Sequence, residues 1–262
     1  MGSTLIPPRY KRYLFHGRTG GIVDERVEPV SHGLLVLGHT ASIPCWSDSH
    51  IHFHQHSEEF YLLLQGELHI YVAGTCFTLH PRELLMVMPG VHHAVIGGQG
   101  RIEHFGFRAP SLSDKQIVGE IPQQVPDTKE SARERSEEWG CQLPLMAAEN
   151  QNRWLIGWGR VKQRSSHLIL AYLNFPTHEQ ANAGIGTRLR MHYHREAWEY
   201  YVAIQGRKIL QIEDELVAVN AGEILEVPPR VRHNVHSREA PYEGFTIRVP
   251  LTDDGDKVET SL

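Results

Sequence analysis

Apolar residues in this chain come in short runs broken by turn-forming residues, not in helical stripes. Phe60 to Leu64 is closed by Gln65-Gly66, and Tyr200 to Ile204 is closed by Gln205-Gly206. Further turn signals stand at Ala73-Gly74, Asn220-Ala221-Gly222 and Pro228-Pro229. Runs rich in Val, Ile, Tyr and Phe at this spacing predict strands, and many short strands predict a sandwich or barrel. Gly33 to Leu37 and His167 to Leu173 are expected to supply opening strands. One stretch reads differently: Asp127 to Trp139 is charged and lacks Gly and Pro, which predicts a short helix capped by Asp127 or Thr128.

The pattern occurs twice. The segment from His52 to Pro110 recurs 140 residues later without insertion or deletion, His52 over His192, His54 over His194, Glu59 over Glu199, Gly66 over Gly206, His93 over His233 and Pro110 over Pro250. A fixed offset over so many points marks an internal duplication. The expected organisation is an N-terminal barrel over residues 1–112, a linker with a short helix over 113–149 and a C-terminal barrel over 150–262.

Composition narrows the partners. Forty per cent apolar residues in a chain of 262 supply two cores of ordinary size. A formal charge of -5 and scattered Lys and Arg give no basic field for nucleic acid or anionic lipid. Small molecules are the expected partners. No apolar run has the length of a bilayer span or a signal peptide, and Ile6 stands where a myristoylation motif needs Ser or Thr. Cys45, Cys76 and Cys141 are odd in number, widely spaced and form no CxxC, so neither a disulfide framework nor a thiolate zinc site is indicated. A cytoplasmic location fits best.

The unusual number is 18 histidines. Strand alternation puts His52 and His54 on one face, and likewise His192 and His194, while Glu59, His93, Glu199 and His233 follow on later strands. Each copy therefore offers three imidazoles and a carboxylate that can converge on a divalent ion. Packing explains one such set poorly and two at one offset worse. His50 and His56 share the parity of the ligand histidines and are assigned to solvent or packing, and His92 is given no role.

The spacing HxH, four residues, Glu, six residues, Gly resembles the first motif of the cupin superfamily, and Gly222, Pro228 and His233 resemble the second. Departures fall on turns: Arg82 and Arg230 stand where that motif has Gly, and Met88 where it has Pro. The resemblance implies an all-β chain of two tandem cupin barrels, each a jelly roll or double-stranded β-helix. It also implies up to two divalent metal ions per chain, Fe, Mn, Ni, Co or Zn, bound by His52, His54, Glu59 and His93 and by His192, His194, Glu199 and His233. Four ligands nearly saturate tetrahedral zinc, whereas the octahedral ions keep about two positions open for a chelating substrate.

Other residues distinguish the copies. Arg188 and Arg190 share the parity of His192 and His194, so they face the interior and hold a substrate carboxylate, or else lie at the rim in solvent. Tyr201 shares a face with Glu199 as a proton donor or an aromatic wall. The first copy has His50 in place of Arg190 and Tyr61 in place of Tyr201, so the second pocket is expected to be more cationic and to be the catalytic one.

Three functions follow as expectations. Resemblance to bicupin dioxygenases implies oxidative attack on a small hydroxy acid, oxo acid or hydroxylated aromatic compound. A non-oxidative isomerase or lyase of a sugar acid or oxo acid starts from the same chelate. A non-catalytic binder is the third: Gly33 to Pro110 is similar to the sensing barrels of AraC-type regulators, although no helix-turn-helix or basic patch accompanies it. A homodimer paired through sheet edges is compatible with the fold.

Overall fold

The computed structural model describes residues 9–15, 20–23, 33–42, 47–122, 141–142, 151–156, 165–185 and 190–260. They form β1 (Lys11–Leu14), β2 (Gly20–Val23), β3 (Val36–Ser42), β4 (His50–His54), β5 (Glu58–Val72), β6 (Thr75–Leu79), β7 (Leu84–Val87), β8 (His93–Ala109), β9 (Lys115–Glu120) and β10 (Cys141–Gln142). There follow β11 (Gln151–Ile156), β12 (Ile169–Phe175), the helix α1 (His178–Asn182), β13 (His192–His194), β14 (Trp198–Ile212), β15 (Glu215–Asn220), β16 (Glu223–Val227), β17 (His233–Val249) and β18 (Lys257–Glu259). The expected helix at 127–139 lies outside the described residues.

Two antiparallel sheets result, each of nine strands among the described residues. The first runs β10-β7-β5-β8-β3-β2, with β6 on β5 and β4 between β8 and β9. The second runs β1-β16-β14-β17-β12-β11, with β15 on β14 and β13 between β17 and β18. The duplication read from the ligands thus extends to whole topologies. Gly33 to Leu37 and His167 to Leu173 do lead into strands, β3 and β12, but these are not the opening ones, since β2 and β11 precede and pair with them.

The division of the chain differs from the expected one. One compact unit is Gly17–Ala147, and the other joins Met1–His16 to Ala148–Leu262. Strand β1 is the reason: Lys11 to Leu14 pair with Glu226 to Glu223 on β16, the edge that β10 covers on β7 in the first sheet. Arg9 binds Asp214 at 2.6 Å, Arg12 binds Glu223, and Tyr13 donates to the buried Glu226 at 2.9 Å. Strand β9, in the expected linker, pairs instead with β4. An unpaired edge accepts any strand that satisfies its backbone, and hydrophobic pattern carries no information about which.

Inside each sheet one face closes on an apolar core, Leu68, Ile70, Val72, Phe77 and Leu85 in the first barrel and Leu210, Ile212, Val217, Val219 and Leu225 in the second. Each such side chain stabilises the fold by about 1.5–3 kcal/mol on burial. The motif glycines Gly66 and Gly206 lie where the pairing of β5 with β8 and of β14 with β17 slips register. Their φ values are +81° and +72°, and a Cβ there would run into the carbonyl oxygens of Arg101 and Pro241. Only glycine fits that bend.

Candidate metal centre

In the first barrel β4 presents His52 and His54 on its buried face, with Phe53 between them partly exposed. Glu59 arrives on β5, and His93, the first residue of β8, is the cross-strand partner of His52. Glu59 Oε2 lies 3.6 Å from His52 Nε2, 3.1 Å from His54 Nε2 and 2.7 Å from His93 Nε2. The second barrel repeats this, with His233 opposite His192 and Glu199 Oε2 at 3.5 Å from His194 Nε2 and 2.8 Å from His233 Nε2. In both sets the four donor atoms lie within 4.8 Å of one another. All eight residues singled out from sequence are brought together as two quartets.

The far side of each ring decides what the near side can bind. His93 Nδ1 donates to Val91 O, His192 Nδ1 to Arg190 O and His233 Nδ1 to Val231 O, each at 2.8 Å, and His52 Nδ1 lies 3.4 Å from His50 O. His54 Nδ1 donates to Asp114 at 2.9 Å and His194 Nδ1 to Asp256 at 3.0 Å. A carbonyl or carboxylate oxygen only accepts, so Nδ1 carries the proton and Nε2 turns a lone pair inward. That lone pair faces a carboxylate, which is also an acceptor. Either each ring takes a second proton or a cation stands between them. Burial disfavours charged rings: burial and then His233 push His192 down to about 4. Burial opposes charge on Glu59 and Glu199 too, yet the surrounding imidazoles hold both well below the carboxylate range. Three neutral imidazoles and one carboxylate fit a divalent ion.

Asp114 and Asp256 were not found by sequence reading, and they orient the ligand sets. Each also accepts backbone N–H bonds from the turn after the second histidine, His56 and Ser57 in the first barrel and Glu196 in the second. Burial raises the Asp114 pKa, but these donors together outweigh it and leave it at about 2. A carboxylate behind a ligating imidazole fixes the ring and raises its basicity.

A cupin domain family model matches residues 43–99 and again 182–243, and both segments contain the HxH pair, the glutamate and the last histidine of a quartet. The chain is a tandem of two cupin domains. Solved structures agree on the fold. An oxalate decarboxylase from Lactobacillus farciminis superposes with a TM-score of 0.58 at 12% identity, over 95% of this chain and 88% of that one. The protein Ylba from E. coli gives 0.59 at 9% identity over 94% and 92%. A salicylate 1,2-dioxygenase from Pseudaminobacter salicylatoxidans gives 0.54 at 11% identity over 83% and 71%. No curated protein matches significantly in sequence. Among the described residues, no helix is long and apolar enough to cross a membrane.

Beside its quartet the second cupin domain holds a cavity of about 120 Å³, lined by Tyr201, Lys208, Arg238 and Arg248 and walled by Ile169, Ala171 and Val235. Of the two arginines expected there from sequence, only Arg190 can be placed. Arg188 lies outside the described residues. Arg190 is 65% exposed, with Nη1 3.6 Å from Glu259, and does not line the cavity. The alternation that fixes His192 and His194 begins only at His192, where β13 starts, so it does not extend back to Arg190. The second pocket is cationic nonetheless, through Lys208, Arg238 and Arg248, all buried. Burial and then Glu199 push the Tyr201 phenol well above its ordinary range, so it keeps its proton. Burial and then Arg238 push the Lys208 amine well below the lysine range.

The first cupin domain has Tyr61 in the place of Tyr201, its phenol likewise held up by burial and then Glu59. Where the second has Gly244, the first has His104, 2% exposed and pushed down to about 4 by burial and then His39. His50, His56 and His92 are exposed, as expected for residues outside the ligand set.

Proposed function

We propose that the protein is a metal-dependent enzyme that attacks a small oxygenated anion, a hydroxy acid, oxo acid or hydroxylated aromatic compound, by dioxygenase chemistry in its second cupin domain. The observation that carries this reading is a quartet of inward-facing donors, of which His192, His194 and Glu199 line one cavity with Tyr201 and buried cations. His192, His194, Glu199 and His233 would hold the ion. When bound, a divalent ion supplies Lewis-acid polarisation of a chelating substrate oxygen and, if it is iron, redox chemistry with dioxygen.

The chain's own groups do the rest. Asp256 keeps His194 in the tautomer that ligates. Arg248, the cross-strand neighbour of Glu199, orients the substrate's acidic oxygen. Tyr201, which keeps its proton, donates it to a substrate oxygen that gains charge. Ile169, Ala171 and Val235 limit water around the reacting atoms. Arg190, exposed and close to Glu259, draws anions toward the mouth without touching the reacting atoms.

The retained phenol proton of Tyr201 also favours a second reading, a non-oxidative isomerase or lyase of a sugar acid or oxo acid in which Tyr201 returns a proton to an enolate. The two separate in an oxygen electrode. Iron-loaded protein is presented with hydroxy acids, oxo acids and hydroxylated aromatic acids, and oxygen uptake stoichiometric with product is expected. Equal turnover without oxygen would overturn the dioxygenase reading in favour of the second. Saturable binding without turnover by either route would leave a binding protein.

A further inference from the structure

Two cations stand directly opposite each other inside the second cupin domain. Lys208 on β14 is the cross-strand partner of Arg238 on β17, both line the cavity, and their exposures are 1% and 4%. Like charges opposite one another destabilise a sheet, and burial removes the water that would screen them. Among the described residues no carboxylate pairs with either side chain. Glu199 is the carboxylate of the cavity wall, and the imidazoles of His194 and His233 already engage it.

The unmet hydrogen-bonding capacity lies in the same place. Lys208 Nζ sits over two aromatic rings, 4.7 Å from the centroid of Tyr201 and 5.2 Å from that of Tyr242, and has no hydrogen-bond partner among the described residues. Arg238 Nη1 donates to Ala181 O, but its Nε has no partner, nor does the buried hydroxyl of Tyr242. Buried polar groups of native proteins are nearly always satisfied, and each one left over costs about 1–3 kcal/mol. Two of these groups, Lys208 and Arg238, line one cavity and call for an acceptor that enters from outside. Both are basic, so the acceptor is anionic.

We propose that Lys208 and Arg238 form a carboxylate subsite in the second cavity, so that the substrate is a dicarboxylate or a close analogue, one end on this subsite and the other at the metal-ligand quartet. This rests on the reading of the second domain as the reacting site. Tyr201 stands between the two ends, its ring 6.1 Å from that of His233 and 4.7 Å from Lys208 Nζ, so a substrate spanning them passes over the phenol. Without a counter-anion the buried amine gives up its proton readily, and a bound carboxylate restores it. The first domain has Leu68 opposite Gly98 at the matching positions and offers no such subsite.

The test uses the full chain, stripped of metal by a chelator, and calorimetric titration with succinate and with succinamide, its uncharged diamide. Succinate is expected to saturate one site per chain and succinamide none. Lys208→Leu, which gives the second domain the residue of the first, is expected to weaken succinate at least tenfold while melting no lower than the wild type. Lys208→Gln serves the same purpose should the leucine variant not fold, and Arg238→Met is expected to act in the same direction. Reloading with Mn(II) is expected to tighten succinate in the wild type, and Lys208→Leu is expected to keep its metal. Succinate that binds a folded Lys208 variant as tightly as the wild type overturns the proposal. So does succinamide binding equal to that of succinate, or no saturable succinate binding up to roughly 10 mM. Succinate binding that needs Lys208, in a metal-loaded protein that turns nothing over, keeps the subsite and removes the enzymatic reading.

Discussion

In the first barrel Leu68 stands opposite Gly98, and in the second Lys208 stands opposite Arg238. Around both pairs nearly everything else is shared: four ligands, an aspartate behind the second histidine, a protonated tyrosine beside the glutamate and the same strand order. Leucine is the choice that favours stability, since a buried lysine without an ion-pair partner costs several kcal/mol. A barrel that keeps the costly pair, beside a copy that does without it, is using the pair. The duplication thus separates two tasks. The quartet and its aspartate bind metal in either copy, and the wall behind them decides what else enters.

The sharpest way to break this comparison is to remove one metal at a time. His233→Ala is expected to lose the ion of the second domain only, and His93→Ala that of the first only, each leaving about half the metal by elemental analysis. Metal polarisation is worth several kcal/mol of transition-state stabilisation, so His233→Ala is expected to lower kcat/KM by about 10³-fold or more. His93→Ala is expected to change it only a few-fold. The reverse ranking would move the reaction to the first domain.

The quartets were legible in the sequence because strand alternation and a fixed 140-residue offset act on the same residues. Asp114 and Asp256 were not, since they lie 142 residues apart, beyond the last matched pair Pro110 and Pro250, where the offset no longer holds. Their signal was an aspartate shortly after each repeat, but the fixed offset sets Asp114 over Asp254, two residues short of Asp256. Lys208 was hidden by the bulge at Gly206: counted from Glu199 and Tyr201 it has the wrong parity, and the register shifts between Ala203 and Arg207 turn it inward. Arg190 failed for the opposite reason, as parity was carried back past the start of a strand. The pairing of β1 with β16 had no sequence signal, because Lys11 to Leu14 would suit either open edge.

A smaller effect tests whether the shared aspartates act alike. Asp256→Asn and Asp114→Asn each keep the shape but weaken the acceptor that fixes the ligand tautomer, and such partners are worth about 10–100-fold in metal affinity. Competition against a chromogenic chelator is expected to find a loss of that size in the mutated domain and none in the other. Turnover at saturating metal is expected to suffer from Asp256→Asn and not from Asp114→Asn. Equal loss of turnover in both would mean that the domains share the reaction.

The smallest effect lies in the turns, where the copies have traded one residue. The first barrel has Arg82 at φ +67° and Gly90 at φ +80°, and the second has Gly222 at φ +87° and Arg230 at φ +66°. At all four positions the backbone N–H donates to a carbonyl: Arg82 to Leu63, Gly222 to Ala203, Gly90 to His54 and Arg230 to His194. That bond holds the left-handed conformation whatever the side chain, which is why arginine is tolerated where the motif has glycine. A non-glycine residue there still costs about 1 kcal/mol. Arg82→Gly and Arg230→Gly are therefore each expected to raise stability by up to about 1 kcal/mol, offset in part by the greater freedom of glycine in the unfolded chain. Gly90→Ala, whose added Cβ meets nothing within 4 Å, isolates the backbone effect and is expected to lower stability by about the same amount. Urea denaturation of the metal-free chain measures all three. A loss from Gly90→Ala without a matching gain from Arg82→Gly would mean that the arginine side chain stabilises its turn beyond the backbone bond.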